Sequence, residues 1–214
     1  MTGVRRLTSY YLLGLLSVWA LAGLVLGILL QPSHGGLLGG VDSTLGASNY
    51  TEDVHLVTSQ GAQTEHLVFN SPDRLGGYLQ RGDRRQYVFI LGNSFYRSSV
   101  VDRALPTNQL VFQHWTAPQP NAAAANDPVQ VELGIVRQAL SDERVANRVI
   151  RHGDAYVLTE SRGGQTGLFR VTLSGQYVSD LRVATPIEQL DLSISSTNSS
   201  PSVQLPAGVK LSGS

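Results

Sequence analysis

The residues from Tyr10 to Leu30 form an apolar run of 21 residues that contains no charged side chain. At a rise of ~1.5 Å per residue, a helix of this length spans about 30 Å, which is the hydrocarbon thickness of a bilayer. No other part of the chain has such a run. The sequence therefore predicts a single transmembrane helix over residues 10–30.

The charges that flank this run predict its orientation. Arg5 and Arg6 lie just before it, and the next arginine or lysine after it is Arg74. Because basic residues beside a membrane span stay in the cytoplasm, residues 1–9 are predicted to be cytoplasmic. The rest of the chain is then predicted to be extracytoplasmic, displayed from the cell (plasma or inner) membrane.

A cleaved secretory signal is the alternative interpretation of the same run. A signal peptide has a shorter apolar region, of about 7–15 residues, and ends at a small-x-small cleavage site. Here the run is longer and continues into Gln-Pro-Ser-His-Gly-Gly, without Ala-x-Ala. This comparison favours an uncleaved anchor and leaves cleavage as the second possibility.

Three small residues share one face of the predicted membrane helix. Gly23 and Gly27 form a Gly-x-x-x-Gly pair, and Ala20 lies close to them on the same face. Small residues at this spacing let two helix backbones approach closely. The face predicts either a homodimer or docking on a membrane-protein partner, although glycine is also common in membrane helices in general.

Composition excludes several classes of function. The 16 basic and 16 acidic residues balance, so the chain lacks the basic surface that nucleic-acid binding requires. The absence of cysteine excludes disulfides, thiol catalysis and thiolate-bound metal centres. The 22 glycines and 9 prolines, set among Val, Tyr and Thr runs, favour a β-rich domain with many turns.

Glycine and proline also divide the chain into segments. Residues 31–48 are rich in Gly and Ser and are predicted to form a flexible linker, followed by a β-rich domain over residues 49–214. A Pro- and Ala-rich loop is predicted at 117–128. After it, Leu133, Val136 and Leu140 recur with helical spacing, which predicts a helix at about 129–140 with a further turn to Asn147.

The remaining segments of this domain read as strands. Residues 84–91 (RRQYVFIL) and 95–99 flank Gly92-Asn93, which is a hairpin signal. Further strands are predicted at 54–59, 65–69, 109–115, 149–151, 155–161, 167–174, 176–184 and 188–195. The predicted fold class is therefore α+β, with the N-terminal transmembrane helix followed by a curved antiparallel half-barrel sheet and one or two packed helices.

Several of these segments occur together in a known family. The segments are YVFILGNSFYR at 87–97, GDAYVL at 153–158, TGLFRVTL at 166–173, VSDLRV at 178–183 and the closing 199–206. In this order they resemble the half-barrel envelope proteins related to LolA and to the mycobacterial LppX/LprG lipoproteins, over residues ~50–208. The resemblance implies a curved sheet closed by helices around a lipid-sized cavity, a carrier role for lipoproteins or glycolipids, and no catalytic motif.

This chain departs from the family in its attachment to the membrane. The family members are usually soluble or lipid-anchored through cysteine, whereas this chain has no cysteine and carries an apolar run instead. A permanent membrane helix is incompatible with a free shuttle. The departure therefore affects the carrier role and leaves the expected fold unchanged.

Apolar residues spaced by two along the predicted strands form the candidate ligand-binding face. Such a face either packs into a filled core or lines a cavity if the single helix is too small to cover it. The candidate cavity residues are Tyr87, Phe89, Leu91, Phe95, Phe112, Tyr156, Leu158 and Phe169. The nearby Arg81, Arg84 and Arg85 suit lipid phosphates or, alternatively, a charged strand edge that discourages pairing with other sheets.

No motif predicts catalysis, a metal or a cofactor. The five histidines show no His-Glu-x-x-His spacing, and no Gly-x-Ser-x-Gly occurs. Two functions from different classes follow. The first is a non-enzymatic, membrane-anchored domain that binds a lipid or another hydrophobic envelope molecule. The second is an accessory or assembly subunit of a membrane complex, docked through its transmembrane helix.

Overall fold

The computed structural model describes residues 34–102, 105–106, 109–116, 122–162 and 164–212. The predicted cytoplasmic segment and transmembrane helix, with Ala20, Gly23 and Gly27, lie outside these ranges. Within them, the helices are too short or too polar to cross a bilayer. The described residues belong to one compact domain that begins at His34.

In these ranges, twelve strands form one sheet. They are β1 Asn49–Thr58, β2 Gly61–Asn70, β3 Arg74–Arg81, β4 Arg84–Leu91, β5 Ser94–Ser98, β6 Val111–Thr116, β7 Ile150–His152, β8 Ala155–Arg162, β9 Gln165–Ser174, β10 Tyr177–Ala184, β11 Glu188–Ser195 and β12 Lys210–Ser212.

The sheet consists of two antiparallel meanders joined through one pair of strands. Its order is β12-β6-β5-β4-β3-β2-β1-β11-β10-β9-β8-β7. Strands β1 and β11 pair antiparallel from Thr51↔Ser195 to Thr58↔Glu188, and β12 joins β6 in parallel. The predicted α+β fold with a curved, largely antiparallel sheet is confirmed for the described residues.

Four helices accompany the sheet in the described part of the chain. They are α1 His34–Leu45, α2 Ala122–Asn126, α3 Pro128–Leu140 and α4 Glu143–Ala146. The predicted helix at 129–140 is confirmed as α3, and its extension to Asn147 contains the separate short helix α4. Asp127 caps α3 by accepting a hydrogen bond from the Gln130 N–H, and Pro128 occupies the first turn, where its missing N–H has no cost.

The hairpin predicted around Gly92-Asn93 is also confirmed. Strands β4 and β5 pair from Leu91↔Ser94, and Gly92 adopts a φ of 59°, a left-handed conformation that suits glycine. Strand β3, with the sequence RLGGYLQR, was not predicted because its Gly-Gly pair resembles a turn. Pairing with β2 and β4 on both sides makes this segment a central strand.

The prediction of a flexible linker at 31–48 is wrong for most of its length. Residues 34–45 form α1, in which Leu37 and Val41 are completely buried. The correction has a physical reason, since helix α1 buries one stripe of side chains against the sheet and α3. The packed domain therefore begins well before residue 49.

Two of the glycines that suggested flexibility are contact points in α1. A Cβ atom built on Gly40 would lie 2.5 Å from Cδ2 of Leu173, and one on Gly36 would lie 2.9 Å from the Tyr156 hydroxyl. Gly39, by contrast, faces open space. Glycine at 36 and 40 thus lets the helix backbone approach strands β8 and β9 closely.

A buried threonine joins α1 to an irregular point of the sheet. The Thr44 hydroxyl donates to the Gly40 carbonyl and accepts a hydrogen bond from the Val178 N–H, both at 2.8 Å. Strand β10 shifts register between Val178 and Asp180, which leaves that N–H without a ladder partner. Thr44 therefore satisfies a buried donor and fixes the position of the helix.

The main hydrophobic core lies between the helices and one face of the sheet. It includes α1 and α3 residues and inward residues of β1, β2 and β8–β11, among them Leu37, Val41, Leu133, Val136, Phe169, Val171, Leu181 and Leu192. A second, smaller cluster lies on the opposite face of β3–β6. There Phe89 and Phe112 pack against Val203 of the C-terminal segment. The side-chain carbonyl of Asn70 accepts a hydrogen bond from the Val203 N–H and so holds this segment on the sheet.

Overpacking the α1 contact tests the role of Gly40. Replacing Gly40 by Val should lower the free energy of unfolding by about 1–3 kcal/mol, because the new methyl groups displace Leu173. The matched change Gly39→Val should stay within about 0.5 kcal/mol of the parent protein, because valine and glycine differ little in an exposed helix. Urea unfolding followed by circular dichroism measures both; equal values for the two variants would contradict the contact.

Candidate functional site

An open groove of about 530 Å³ lies on the helix-bearing face of the sheet, over strands β2–β5. The residues that line it come from these strands, from the segment after β5 and from the end of α2. They are Gln63, Glu65, Leu67, Leu75, Leu79, Gln80, Arg81, Arg84, Arg85, Gln86, Val88, Ile90, Phe95, Arg97, Val100 and Asn126. This set is called the groove below.

The groove exists because the helices are distributed unevenly over the sheet. Helix α1 packs against β9 and β10, and α3 and α4 pack against β8. The helix that contacts β3 and β4 is α2, which has five residues. The inward side chains of β2–β5 therefore receive much less helical cover than those of β8–β11.

The floor of the groove is apolar at one end. Leu75 lies opposite Ile90, and Ile90 lies opposite Phe95, so the three side chains form one row across β3, β4 and β5. Val88 and Leu79 continue the apolar surface along the strands, and both are half-buried. These side chains offer a hydrocarbon surface that remains partly accessible.

The other end of the groove is cationic. Arg81 and Arg84 lie directly opposite each other in the β3–β4 pair, whereas Arg97, opposite Val88 on the same face, lies between this end and the apolar row. Like charges in directly opposite positions destabilise a sheet. Arg81 donates to the neutral Gln63 carbonyl oxygen at 3.2 Å, and Arg84 is 3.7 Å from the exposed Asp102. The positive charge of this end is thus only partly balanced.

Among the described residues, Glu65 is the one carboxyl group that lines the groove. Burial raises its pKa, and the 2.6 Å hydrogen bond donated by the Gln63 amide opposes that shift. Against the three arginines that face the groove, Arg81, Arg84 and Arg97, this single acid leaves the groove with a positive electrostatic potential.

A pair of buried carboxyl groups lies beside the groove, where α3 meets the sheet. Glu52 projects inward from β1 opposite Leu67, and Asp127 caps α3; both are completely buried. Tyr50 donates its hydroxyl to Asp127 at 2.9 Å and accepts a hydrogen bond from the Gln130 amide at 3.1 Å. Among the described residues, neither oxygen of Glu52 has a hydrogen-bond partner.

Burial controls the ionisation of both acids. It raises the pKa of Asp127 to about 7, against the hydrogen bonds from Gln130 and Tyr50 that favour the ionised form. It also raises the pKa of Glu52 well above its usual value, and the neighbouring negative charge of Asp127 adds to this shift. The pair therefore holds protons at a pH where exposed carboxyl groups are ionised.

This pair makes stability depend on pH. An unfolded Asp or Glu has a pKa of about 4, so above that pH the folded state holds more protons than the unfolded state. The free energy of unfolding should therefore fall as the pH rises from about 4 through 7, by up to about 1.4 kcal/mol per pH unit for each extra proton. Urea unfolding across this range measures the slope.

Replacing Glu52 by Gln should make that slope shallower and raise stability at pH 8 relative to the parent protein. The control is Asp83→Asn, which removes an exposed carboxylate in the β3–β4 turn and should leave the slope unchanged. Parallel pH profiles for the parent and Glu52→Gln would exclude this origin of the pH dependence.

The structure separates the eight predicted cavity residues into three places. Phe95 lines the groove. Tyr156, Leu158 and Phe169 belong to the filled main core. The other four lie on the opposite face of the sheet, in or against the smaller cluster beneath the C-terminal segment; they are Tyr87, Phe89, Leu91 and Phe112.

The residues that sequence reasoning missed include Leu67, Leu75, Leu79, Val88 and Ile90. Both faces of strand β4 carry apolar side chains, Val88 and Ile90 on one and Phe89 and Leu91 on the other. The alternation of the sequence therefore does not predict which face lines the groove. The positions of Arg81 and Arg84 could have identified the groove face. Arg81 lies two residues from Leu79 and Arg84 lies four residues from Val88, so each arginine is on the same face of its strand as that apolar residue. Arg85, grouped with them in the sequence, points the other way and stacks on Tyr78 at 3.9 Å.

Within the described ranges, no three His, Asp or Glu side chains are placed to hold a metal ion. The chemistry that the groove offers is the burial of apolar groups and the attraction of negative charge. Its size falls within the ~300–1,000 Å³ typical of small-molecule sites.

Comparison with known proteins finds likeness at the level of structure. The chain is similar to lipoprotein LppX from Mycobacterium tuberculosis, with 11% identity, a TM-score of 0.48 and coverage of 80% of this chain and 96% of that one. It is also similar to LprF from Mycobacterium bovis, with 8% identity, a TM-score of 0.42 and coverage of 81% and 95%.

No protein-family model matches the sequence, and a search of curated proteins finds no match either. The resemblance to the LppX group that the sequence suggested is confirmed as a structural likeness.

Proposed function

We propose that this chain is a non-enzymatic binding domain that holds a lipid or another hydrophobic molecule in the groove. The observation that carries the proposal is a cavity of about 530 Å³ with an apolar floor, open on the face of the sheet that the helices cover elsewhere. A filled core would leave no such space. The described helices instead cover one half of the sheet and leave β2–β5 accessible.

The physical basis is the removal of apolar surface from water. Leu79, Val88 and Phe95 are half-buried, so part of each side chain is in contact with solvent in the free protein. A hydrocarbon chain laid over them would bury both its own surface and theirs, at ~25 cal/mol per Å² of apolar area. Leu75 and Ile90, which are almost fully buried, form a firm base for that contact.

The proposal also includes a location for the domain. The uncharged run at 10–30, preceded by Arg5 and Arg6, supports an anchor in the cell membrane with the groove on the extracytoplasmic side. An anchored domain of this kind exchanges ligand with the adjacent leaflet or with a partner. The Gly23/Gly27 face is the candidate docking surface for such a partner in the membrane.

Lipid retention by a groove-blocked variant tests the proposal. The full chain is purified in mild detergent, and its organic extract is compared with that of Val88→Trp, which places a large ring over the groove floor. The parent should retain lipid at about one molecule per chain in excess of the variant. Mass spectrometry of the extracts measures the difference.

Val57→Trp provides the matched control, because Val57 is an exposed strand residue on β1 that does not line the groove. This variant should retain as much lipid as the parent, including any lipid bound by the membrane segment. If Val88→Trp folds cooperatively and still retains the parent amount, the groove does not hold the lipid. That result would favour an accessory subunit of a membrane complex instead.

A further inference from the structure

The groove changes its chemistry along its length in a way that specifies the class of ligand. At one end, Leu75, Ile90 and Phe95 form an apolar row. Arg84 lies on the same strand, six residues from Ile90. At ~3.4 Å per residue, the two residues are about 20 Å apart. An apolar end and a cationic end separated by this distance match a long hydrocarbon chain that ends in a negative group.

The arginines that line the groove have few partners within the described part of the protein. Arg81 and Arg84 lie opposite each other on adjacent strands, an arrangement that repels in the empty protein. Among the described residues, no hydrogen bond or ion pair engages the guanidinium group of Arg97. Arg85 differs, because its guanidinium is already bound to Gln80 and stacked on Tyr78.

The acids near the groove do not cancel this charge. Asp102 is 3.7 Å from Arg84, and Asp83 lies in the turn between Arg81 and Arg84; these carboxylates are exposed, and exposed charge pairs contribute little. Burial raises the pKa of Asp127 to about 7 and the pKa of Glu52 well above its usual value, so these two acids hold protons more readily than exposed carboxyl groups do. A negative group entering at Arg81 and Arg84 therefore meets a local excess of positive charge.

We propose that the groove selects an anionic amphiphile, with its hydrocarbon chain over Leu75, Ile90 and Phe95 and its negative head at Arg81 and Arg84; Arg97 lies along the path between the two ends. This inference rests on the proposed function and adds the charge of the ligand and its direction in the groove. A phosphodiester lipid and a free fatty acid share the required chemistry.

Three photoactivatable probes with the same diazirine-bearing acyl chain test the inference. They are a phosphatidylglycerol, a free fatty acid and a neutral diacylglycerol, each mixed into phosphatidylcholine vesicles that contain the full chain. After irradiation, mass spectrometry quantifies probe attached to residues 86–97, which include three of the apolar groove residues. At least one anionic probe should label this segment about fivefold or more above the neutral probe.

Charge removal provides the decisive comparison. The triple variant Arg81→Gln, Arg84→Gln, Arg97→Gln should reduce labelling by the anionic probe to the level of the neutral probe and leave neutral labelling unchanged. The matched control removes three exposed arginines outside the groove, as Arg144→Gln, Arg148→Gln, Arg170→Gln. It should keep the preference for the anionic probe.

The outcomes separate this inference from the proposed function. Equal labelling by neutral and anionic probes, unaffected by the triple variant, would overturn charge selection while lipid binding stands. Absence of labelling at 86–97 by all three probes would overturn both. Preference for phosphatidylglycerol over the fatty acid supports the inference with a phosphodiester head, and the reverse supports it with a carboxylate.

Discussion

The antiparallel pairing of β1 with β11 holds the domain together. It joins residues 130 to 144 positions apart in the chain and makes one sheet from two meanders. Tyr50 and Val54 on β1 and Leu192 on β11 all point to the same side, where α1 and α3 pack. A slip of one residue would turn these side chains outward and place Asp53 and His55 in the core. Helix packing, the buried acids and the groove all depend on this register.

The same register determines where the polar groups of the interior meet. Glu52 points inward on β1 and therefore lies beneath the start of α3, where Asp127 caps the helix. Tyr50, two residues earlier on the same face, reaches the same carboxyl group. The N-terminal cap of α3 is thus part of the core of the sheet. The charge states of Glu52 and Asp127 are therefore linked to the packing of α3 on β1.

Features governed by local sequence were predictable. The β4–β5 hairpin follows from Gly92-Asn93 between two apolar segments, and α3 follows from its cap and helical spacing. Helix α1 was not predictable from its own sequence, because Gly36 and Gly40 have low helix propensity and their value appears only beside Tyr156 and Leu173. Glycines that would indicate a flexible segment in the sequence alone are here required for close packing of the helix.

The position of the groove needed tertiary information as well. Val88 and Ile90 are no more apolar than Phe89 and Leu91, so the sequence of β4 fits either face. What decides between them is the C-terminal segment, whose Val203 covers Phe89. That contact joins residues more than 110 positions apart, which strand alternation cannot reveal. The arginines were noticed in the sequence, but their partition between the two faces required the structure.

An open sheet of twelve strands has two edges, and here both edges end in strands of three residues. Strand β12 covers the edge of β6, which carries the exposed Val111 and Trp115, and β7 ends the other side. Short edge strands offer few free backbone groups to a neighbouring molecule. Strand β12 thus covers backbone groups of the longer strand β6 that would otherwise be free to pair with another molecule.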